Sequence, residues 1–220
     1  MNSVPRNSSA ALPRAVIFDL GKVLLDFNYM RAASTLAPHS DLSPAEFKRV
    51  VDQSPLLHRY ESGQITTAEF VAEVRRLTGF HGSDDLFHGS FGDIFDEIPE
   101  MVALQRRLAE QGVPTYVFSN TNELAVTHIR RQFPFFSGFT GYIYSYEARS
   151  MKPDPGIYVS LETLTGLQGS DLLYLDDRAE NIAHGAERGW RTILHIDHAP
   201  SIRIVTEAFG WSIRTPAASD

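Results

Sequence analysis

Short apolar runs that end abruptly on a polar residue recur along the chain. Ala15-Val16-Ile17-Phe18 stops at Asp19, and comparable runs lie at Thr115-Tyr116-Val117-Phe118, Tyr142-Ile143-Tyr144, Leu172-Leu173-Tyr174-Leu175 and Thr192-Ile193-Leu194-His195. Their apolar character is continuous rather than alternating, as expected of strands covered on both faces of a parallel sheet. Helical periodicity fills the gaps. Pro99 opens a stretch carrying Met101, Val102, Leu104 and Leu108 that Gly112 closes. Asp154-Pro155 caps another that runs through Ile157, Tyr158, Leu161 and Leu164 to Gly166, and Asn181 to Arg188 ends at Gly189. From about residue 97 to 196 strand and helix alternate, which predicts right-handed crossovers and an α/β fold with a doubly wound parallel sheet.

Residues 28–95 break that alternation. Ser43-Pro44-Ala45-Glu46 and Thr66-Thr67-Ala68-Glu69 are capping-box patterns ahead of apolar-periodic stretches, and no strand pattern stands out. The segment reads as a helical insert after the first strand, dividing a core of residues 14–27 and 96–212. Residues 1–13 and 213–220 are polar, aperiodic tails.

The 220 residues fit one domain carrying such an insert, and a 43% hydrophobic share is enough for a real core. Against 27 acidic residues stand 20 basic ones, with no basic run, so nucleic acid is not an expected partner. No apolar stretch approaches the roughly 18 residues of a membrane helix, so neither is a membrane. The absence of cysteine excludes disulfides, thiolate metal sites and a cysteine nucleophile, and a cytoplasmic location is the simplest reading. The glycine-rich dinucleotide and P-loop signatures, HExxH and GxSxG are all missing.

In an open parallel sheet, ligands bind beyond the carboxyl ends of the strands. The residues placed there are Asp19-Leu20-Gly21-Lys22, Ser119-Asn120-Thr121-Asn122, Met151-Lys152-Pro153, and Asp176-Asp177 with Asn181. Carboxylates with open oxygen ligation suit Mg²⁺, while a lysine and a serine hydroxyl can hold phosphoryl oxygens in line with an attacking carboxylate. Asp19 is the candidate nucleophile, with Ser119 and Lys152 as its catalytic partners. Gly21 alone reads as a tight-turn residue. Thr121 and Asn122 read as caps for the next helix, and His195-x-x-His198, lacking a third ligand, as a surface feature at a strand end.

Phe18-Asp19-Leu20-Gly21-Lys22-Val23-Leu24, Tyr-Val-Phe-Ser119, Met-Lys152-Pro-Asp-Pro and Leu-Asp176-Asp177-Arg-Ala-Glu-Asn181 resemble, in order and spacing, the four motifs of the haloacid dehalogenase superfamily. The resemblance covers about residues 14–200. It implies an aspartyl-phosphate on Asp19 and Mg²⁺ held by Asp19, the Gly21 carbonyl and Asp177, with Asp176 and Asn181 supporting bound waters. The insert is similar to the family's C1 cap. Leu20, Gly21 and Asn120, with His58 and Arg59 of the insert, are the implied substrate contacts. The Ser-Asn-Thr-Asn and Asp-Asp-x-x-x-Asn forms look most like a bacterial subgroup acting on α-D-glucose 1-phosphate, and are also similar to the phosphatase domain of soluble epoxide hydrolase.

One departure stands out. Most phosphatases of the superfamily carry a second Asp, an acid–base group, where this chain has Gly21. General acid–base catalysis is worth about 10²- to 10⁴-fold, so the substitution favours a leaving group that needs little protonation, such as a sugar 1-phosphate. The expected protein is a Mg²⁺-dependent phosphatase of a small phosphorylated metabolite, working as a monomer or homodimer. A 2-haloacid dehalogenase and a catalytically weak metabolite-binding protein are the alternatives.

Overall fold

The computed structural model describes residues 11–52 and 54–211. The residue 213–220 tail and residues 1–10 of the other tail lie outside that range. In chain order the strands are β1 (Ala15–Phe18), β2 (Leu25–Phe27), β3 (Phe95–Glu97), β4 (Thr115–Ser119), β5 (Gly141–Tyr144), β6 (Leu172–Asp176) and β7 (Arg191–Leu194). The helices are α1 (Tyr29–Leu36), α2 (Pro44–Val51), α3 (Pro55–Glu61), α4 (Thr67–Thr78) and α5 (Asp84–Gly92) in the insert. Outside it lie α6 (Pro99–Glu110), α7 (Glu123–Gln132), α8 (Ser145–Ala148), α9 (Pro155–Thr165), α10 (Ala179–Glu187) and α11 (His198–Ala208).

All five predicted runs enter one parallel sheet of order β5-β4-β1-β6-β7. The chain builds outward from β1 on one side and returns to its other side at β6, so β1 sits at the topological switch. The side-chain period of two sorts each strand between two apolar layers. Val16 and Phe18 pack with Val117, Leu173 and Leu175 under α6, α7 and α11. Ala15 and Ile17 face the other way, with Phe118 and Tyr174, against Ile157, Tyr158 and Leu161 of α9. Both layers are sealed, which is why these runs are apolar at every position.

Residues 28–95 form five helices around a separate aromatic core. Tyr60 stacks on Phe70 at 4.5 Å between ring centroids, and Phe70 meets Phe91 edge-on at 5.4 Å. Both expected capping boxes are present, at Ser43–Glu46 and Thr66–Glu69, each worth about 0.5–2 kcal/mol for its N-cap alone. Asp154 does occupy the N-cap position of α9, but its side chain makes no capping hydrogen bond.

One expectation needs correction. The insert was expected to hold no strand, yet Phe95, its last residue, begins β3, which pairs antiparallel with β2 through Leu25–Glu97, Asp26–Asp96 and Phe27–Phe95. Three-residue strands are too short to show a periodic signal. They form the stem through which the chain enters and leaves the insert. Gly21 lies within the turn after β1, closed by the Leu24 N–H on Leu20 O at 2.9 Å, and the left-handed position in it belongs to Lys22, at φ +60°, whose N–H donates to Leu25 O at 2.7 Å.

The insert docks on the sheet domain through specific polar contacts. Tyr60 Oη accepts from the Leu124 N–H at 3.2 Å, and Ser145 Oγ donates to Glu61 O at 2.6 Å. Gly63, at φ +68°, brings the α3–α4 turn so close to α8 that an added Cβ would stand 2.2 Å from Tyr146 O. Gly112 has a similar φ of +74° with nothing within 4 Å of that position. Gly112→Ala should therefore lose only the left-handed penalty of about 1–2 kcal/mol, and Gly63→Ala clearly more. Urea denaturation midpoints compare the two; equal losses would contradict the close approach.

Candidate active site

Parallel register levels the strand ends. Phe18 lies opposite Val117 on one side and Leu175 on the other, so Asp19 emerges beside Phe118 and Asp176. The Asp19 N–H still donates to Leu175 O at 2.9 Å, so the strand's last backbone bond fixes where the carboxylate begins.

Lys152 reaches into this edge from the loop before α9. Its Nζ donates to Asp19 Oδ1 at 2.8 Å, Asp176 Oδ2 at 2.6 Å and Phe118 O at 2.7 Å. All three ammonium protons are thereby used. The side chain is 1% exposed, and Nζ lies 5.0 Å from the Phe118 ring centroid, a cation–π contact in a desolvated setting. Burial alone would lower the lysine pKa, but the two carboxylates more than offset it and the pKa is raised.

Asp176 is fully buried and fully bonded. Oδ1 accepts from Arg178 N and Asn181 Nδ2, each at 2.9 Å, while Oδ2 takes Lys152 and the Tyr174 hydroxyl. Burial pushes its pKa up, yet Lys152 and these donors prevail and hold it below the usual carboxylate range. Asp19 keeps less of that support. Its burial, followed by repulsion from Asp176 and Asp177, outweighs Lys152 and pushes its pKa up. Asp177 is also raised, first by burial and then by Asp176.

Three carboxylates sharing one ammonium leave an excess of negative charge in a buried setting. Oxygens from Asp19, Asp176 and Asp177 lie within 4.8 Å of one another. Beside them Asn181 Oδ1 is a buried acceptor with no partner, while the Asn181 carbonyl is held by Tyr158 Oη at 2.9 Å. Hard oxygen donors in excess, with an acceptor left over, fit a small divalent cation. Asp176, saturated by the protein, is the least available of the three as a direct ligand. Ser119, also buried at the end of β4, makes only a 3.3 Å hydroxyl bond to Asn120 O.

The structure thus brings Asp19, Ser119, Lys152, Asp176, Asp177 and Asn181 to one edge, with Leu20 and Gly21 following Asp19. Leu20 contributes a side chain to the core, and its carbonyl accepts the N–H groups of Leu24 and Leu25. Asn120 differs from its expected role as a substrate contact. Both ends of its amide are committed to the Lys152 backbone, Nδ2 to Lys152 O at 2.9 Å and Oδ1 from Lys152 N at 2.7 Å. It positions the lysine. His58 and Arg59 lie on the exposed side of α3, with Arg59 toward Glu69 and Glu73, and make no contact with the acidic cluster among the described residues.

Asn122 caps α7 as expected, accepting from Ala125 N at 3.0 Å. His195 corrects the expected surface assignment: it is buried, 2.8 Å from Ser201 Oγ and 3.2 Å from His198 Nδ1. The sequence reasoning missed Tyr174 and Tyr158, whose hydroxyls serve the site, because a strand and a helix aromatic read simply as core.

Fold and site define an α/β protein with a buried acidic cluster at the carboxyl edge of its parallel sheet. Residues 13–189 match the haloacid dehalogenase-like hydrolase family, and the chain belongs to it. A predicted hydrolase of this kind from Porphyromonas gingivalis superposes with a TM-score of 0.75 at 22% identity, covering 89% of this chain and 98% of that one. A family enzyme from Bacteroides thetaiotaomicron, crystallised with magnesium and inorganic phosphate, gives 0.73 at 22% identity, over 82% and 93%. L-2-haloacid dehalogenase from Xanthobacter autotrophicus gives 0.61 at 16% identity, over 82% and 76%. At these identities the likeness is one of fold.

Glu61, at the seam between insert and sheet domain, supplies a pH test. Burial pushes its pKa up to about 7, the Asn122 side chain pulls the other way and Asp52 adds to the rise. The folded state therefore favours the protonated carboxyl. This contribution to stability is complete below the unfolded value near 4.5 and is lost as pH rises through about 7. Glu61→Gln should accordingly be more stable than the parent at pH 8, with the difference shrinking toward pH 5. Melting temperatures across that range check this; a difference independent of pH would contradict it.

Proposed function

We propose that this protein is a Mg²⁺-dependent phosphatase that releases inorganic phosphate from a small phosphorylated metabolite, with a sugar phosphate such as a hexose 1-phosphate as the first choice. The observation that carries the reading is the single buried ammonium of Lys152 shared between Asp19 and Asp176, with Asp177 adding a third carboxylate alongside. That arrangement holds Asp19 in one orientation and leaves its second oxygen without a protein partner among the described residues.

In this reading Asp19 attacks phosphorus, and the bond to the leaving oxygen breaks with its electron pair on the departing alkoxide. Water then attacks the phosphorus of the aspartyl-phosphate, releasing phosphate and restoring the carboxylate. Ser119 Oγ and the N–H groups of Leu20 and Gly21 are the donors for the phosphoryl oxygens, while the Lys152 ammonium, its protons already engaged, offsets their charge from beside Asp19. Asp19, the Gly21 carbonyl and Asp177 would hold Mg²⁺, with Asp176 and Asn181 behind them. When bound, the ion would offset the negative charge of carboxylates and phosphate. The helical insert serves as a C1 cap over the sheet edge and keeps bulk water from the intermediate.

Phosphate release from a panel of phosphorylated metabolites tests the reading directly. Turnover should require Mg²⁺, disappear with a chelator and fall to background in Asp19→Asn. Halide release from 2-haloacids that survives the chelator would instead support the dehalogenase alternative that Gly21 leaves open.

A further inference from the structure

Tyr174 stands two residues before Asp176 on β6, and the strand's period of two puts both side chains on the same face. Its ring is fully buried among Phe118, Tyr158 and Trp190, at 5.5, 6.4 and 5.6 Å between centroids. Gly185 of α10 makes room for it, since a Cβ there would stand 3.1 Å from Tyr174 Cδ1. The ring is thus held from both neighbouring helices and from β4.

This tyrosine meets the site twice. Its hydroxyl donates to Asp176 Oδ2, the oxygen that also takes Lys152 Nζ at 2.6 Å. Its ring centroid lies 5.8 Å from the same Nζ, beside the closer Phe118 ring at 5.0 Å. The other donors to Asp176, Arg178 N and Asn181 Nδ2, both go to Oδ1. Among the described residues, Tyr174 is therefore the sole competitor of Lys152 for Oδ2.

That competition bears on how one ammonium is divided between two acids. Nζ lies 2.6 Å from Asp176 Oδ2 and 2.8 Å from Asp19 Oδ1. A charge-assisted O–H bond to Oδ2 takes up part of that oxygen's charge, so less of it acts on Nζ. Without the hydroxyl, Oδ2 turns wholly to the ammonium and draws the lysine toward β6. Asp19 then loses the contact that orients Oδ1.

We propose that Tyr174 is a positioning residue: its hydroxyl, by sharing Asp176 Oδ2 with Lys152, keeps the ammonium between Asp176 and Asp19 and so fixes the Asp19 carboxylate for attack. The inference rests on the phosphatase reading. Tyr174 gives up no proton and acts through Lys152. Ser119 and the backbone N–H groups that bind the phosphoryl oxygens in that reading make no contact with it, so its loss should fall on kcat and spare KM.

Tyr174→Phe removes the hydroxyl and keeps the ring. Mg²⁺-dependent phosphate release should show kcat lower by roughly tenfold at unchanged KM, in protein that melts above the assay temperature. Trp190→Phe trims the same aromatic cluster without touching a site carboxylate, and should lower Tm while keeping kcat. Gly185→Ala, which presses on the Tyr174 ring from α10, should again lower kcat at unchanged KM. An unchanged kcat in Tyr174→Phe overturns the inference, as does a KM that rises with kcat kept. A loss of kcat in Trp190→Phe as large as in Tyr174→Phe also overturns it, since packing alone would then account for both. If Tyr174→Phe fails to fold, an unchanged kcat in Gly185→Ala overturns it instead. Absence of release from the unmodified protein overturns the phosphatase reading itself, and the inference with it.

Discussion

One ammonium group organises this molecule. Lys152 places its three protons on a carboxylate from β1, a carboxylate from β6 and a carbonyl from β4, so a single buried charge ties three strand ends together. A buried charge is costly unless compensated, and compensation here is complete. The carbonyl engaged belongs to Phe118, whose ring also lies under the ammonium, and Asn120 clamps the lysine's own backbone to the end of β4. Replacing any of these partners would leave another buried and unsatisfied. The lysine consequently has one place to be, and so does Asp19.

The same arrangement sets different tasks for the acids. Asp176 receives four donors and is held ionised; it anchors the site. Asp19 and Asp177 receive fewer, and burial together with repulsion from Asp176 raises both. An excess of carboxylate over ammonium beside the free Asn181 oxygen is unfavourable in isolation, and it is what a divalent cation would relieve. Strain of this kind belongs at a site whose partner is a ligand rather than another side chain.

Much of this was legible in the chain because buried parallel strands advertise themselves. The five apolar runs, the glycine stops and the two capping boxes each state a local physical requirement, and the polar residues after the runs mark the sheet edge. What escaped was what local pattern does not encode. The β2–β3 ribbon is held by pairing across the whole insert, from Leu25 to Glu97, and neither strand is long enough to show alternation. Asn120 could not be told from a substrate contact, since its two partners belong to a backbone 32 residues away. His195, at a strand end with no third ligand near its pairing with His198, read as a surface residue, and only the return of α11 supplies Ser201 and buries it.

The central claim is that the Asp19 carboxylate, held by Lys152, forms a covalent bond to phosphorus. The most direct measurement is rapid acid quenching during turnover of a phosphorylated substrate, followed by peptide mapping by mass spectrometry. A phosphoryl group on the Asp19 peptide, absent from Asp19→Asn, is the predicted result. Steady phosphate release with Asp19 unmodified at every time point, or with the phosphoryl group on another residue, would contradict it.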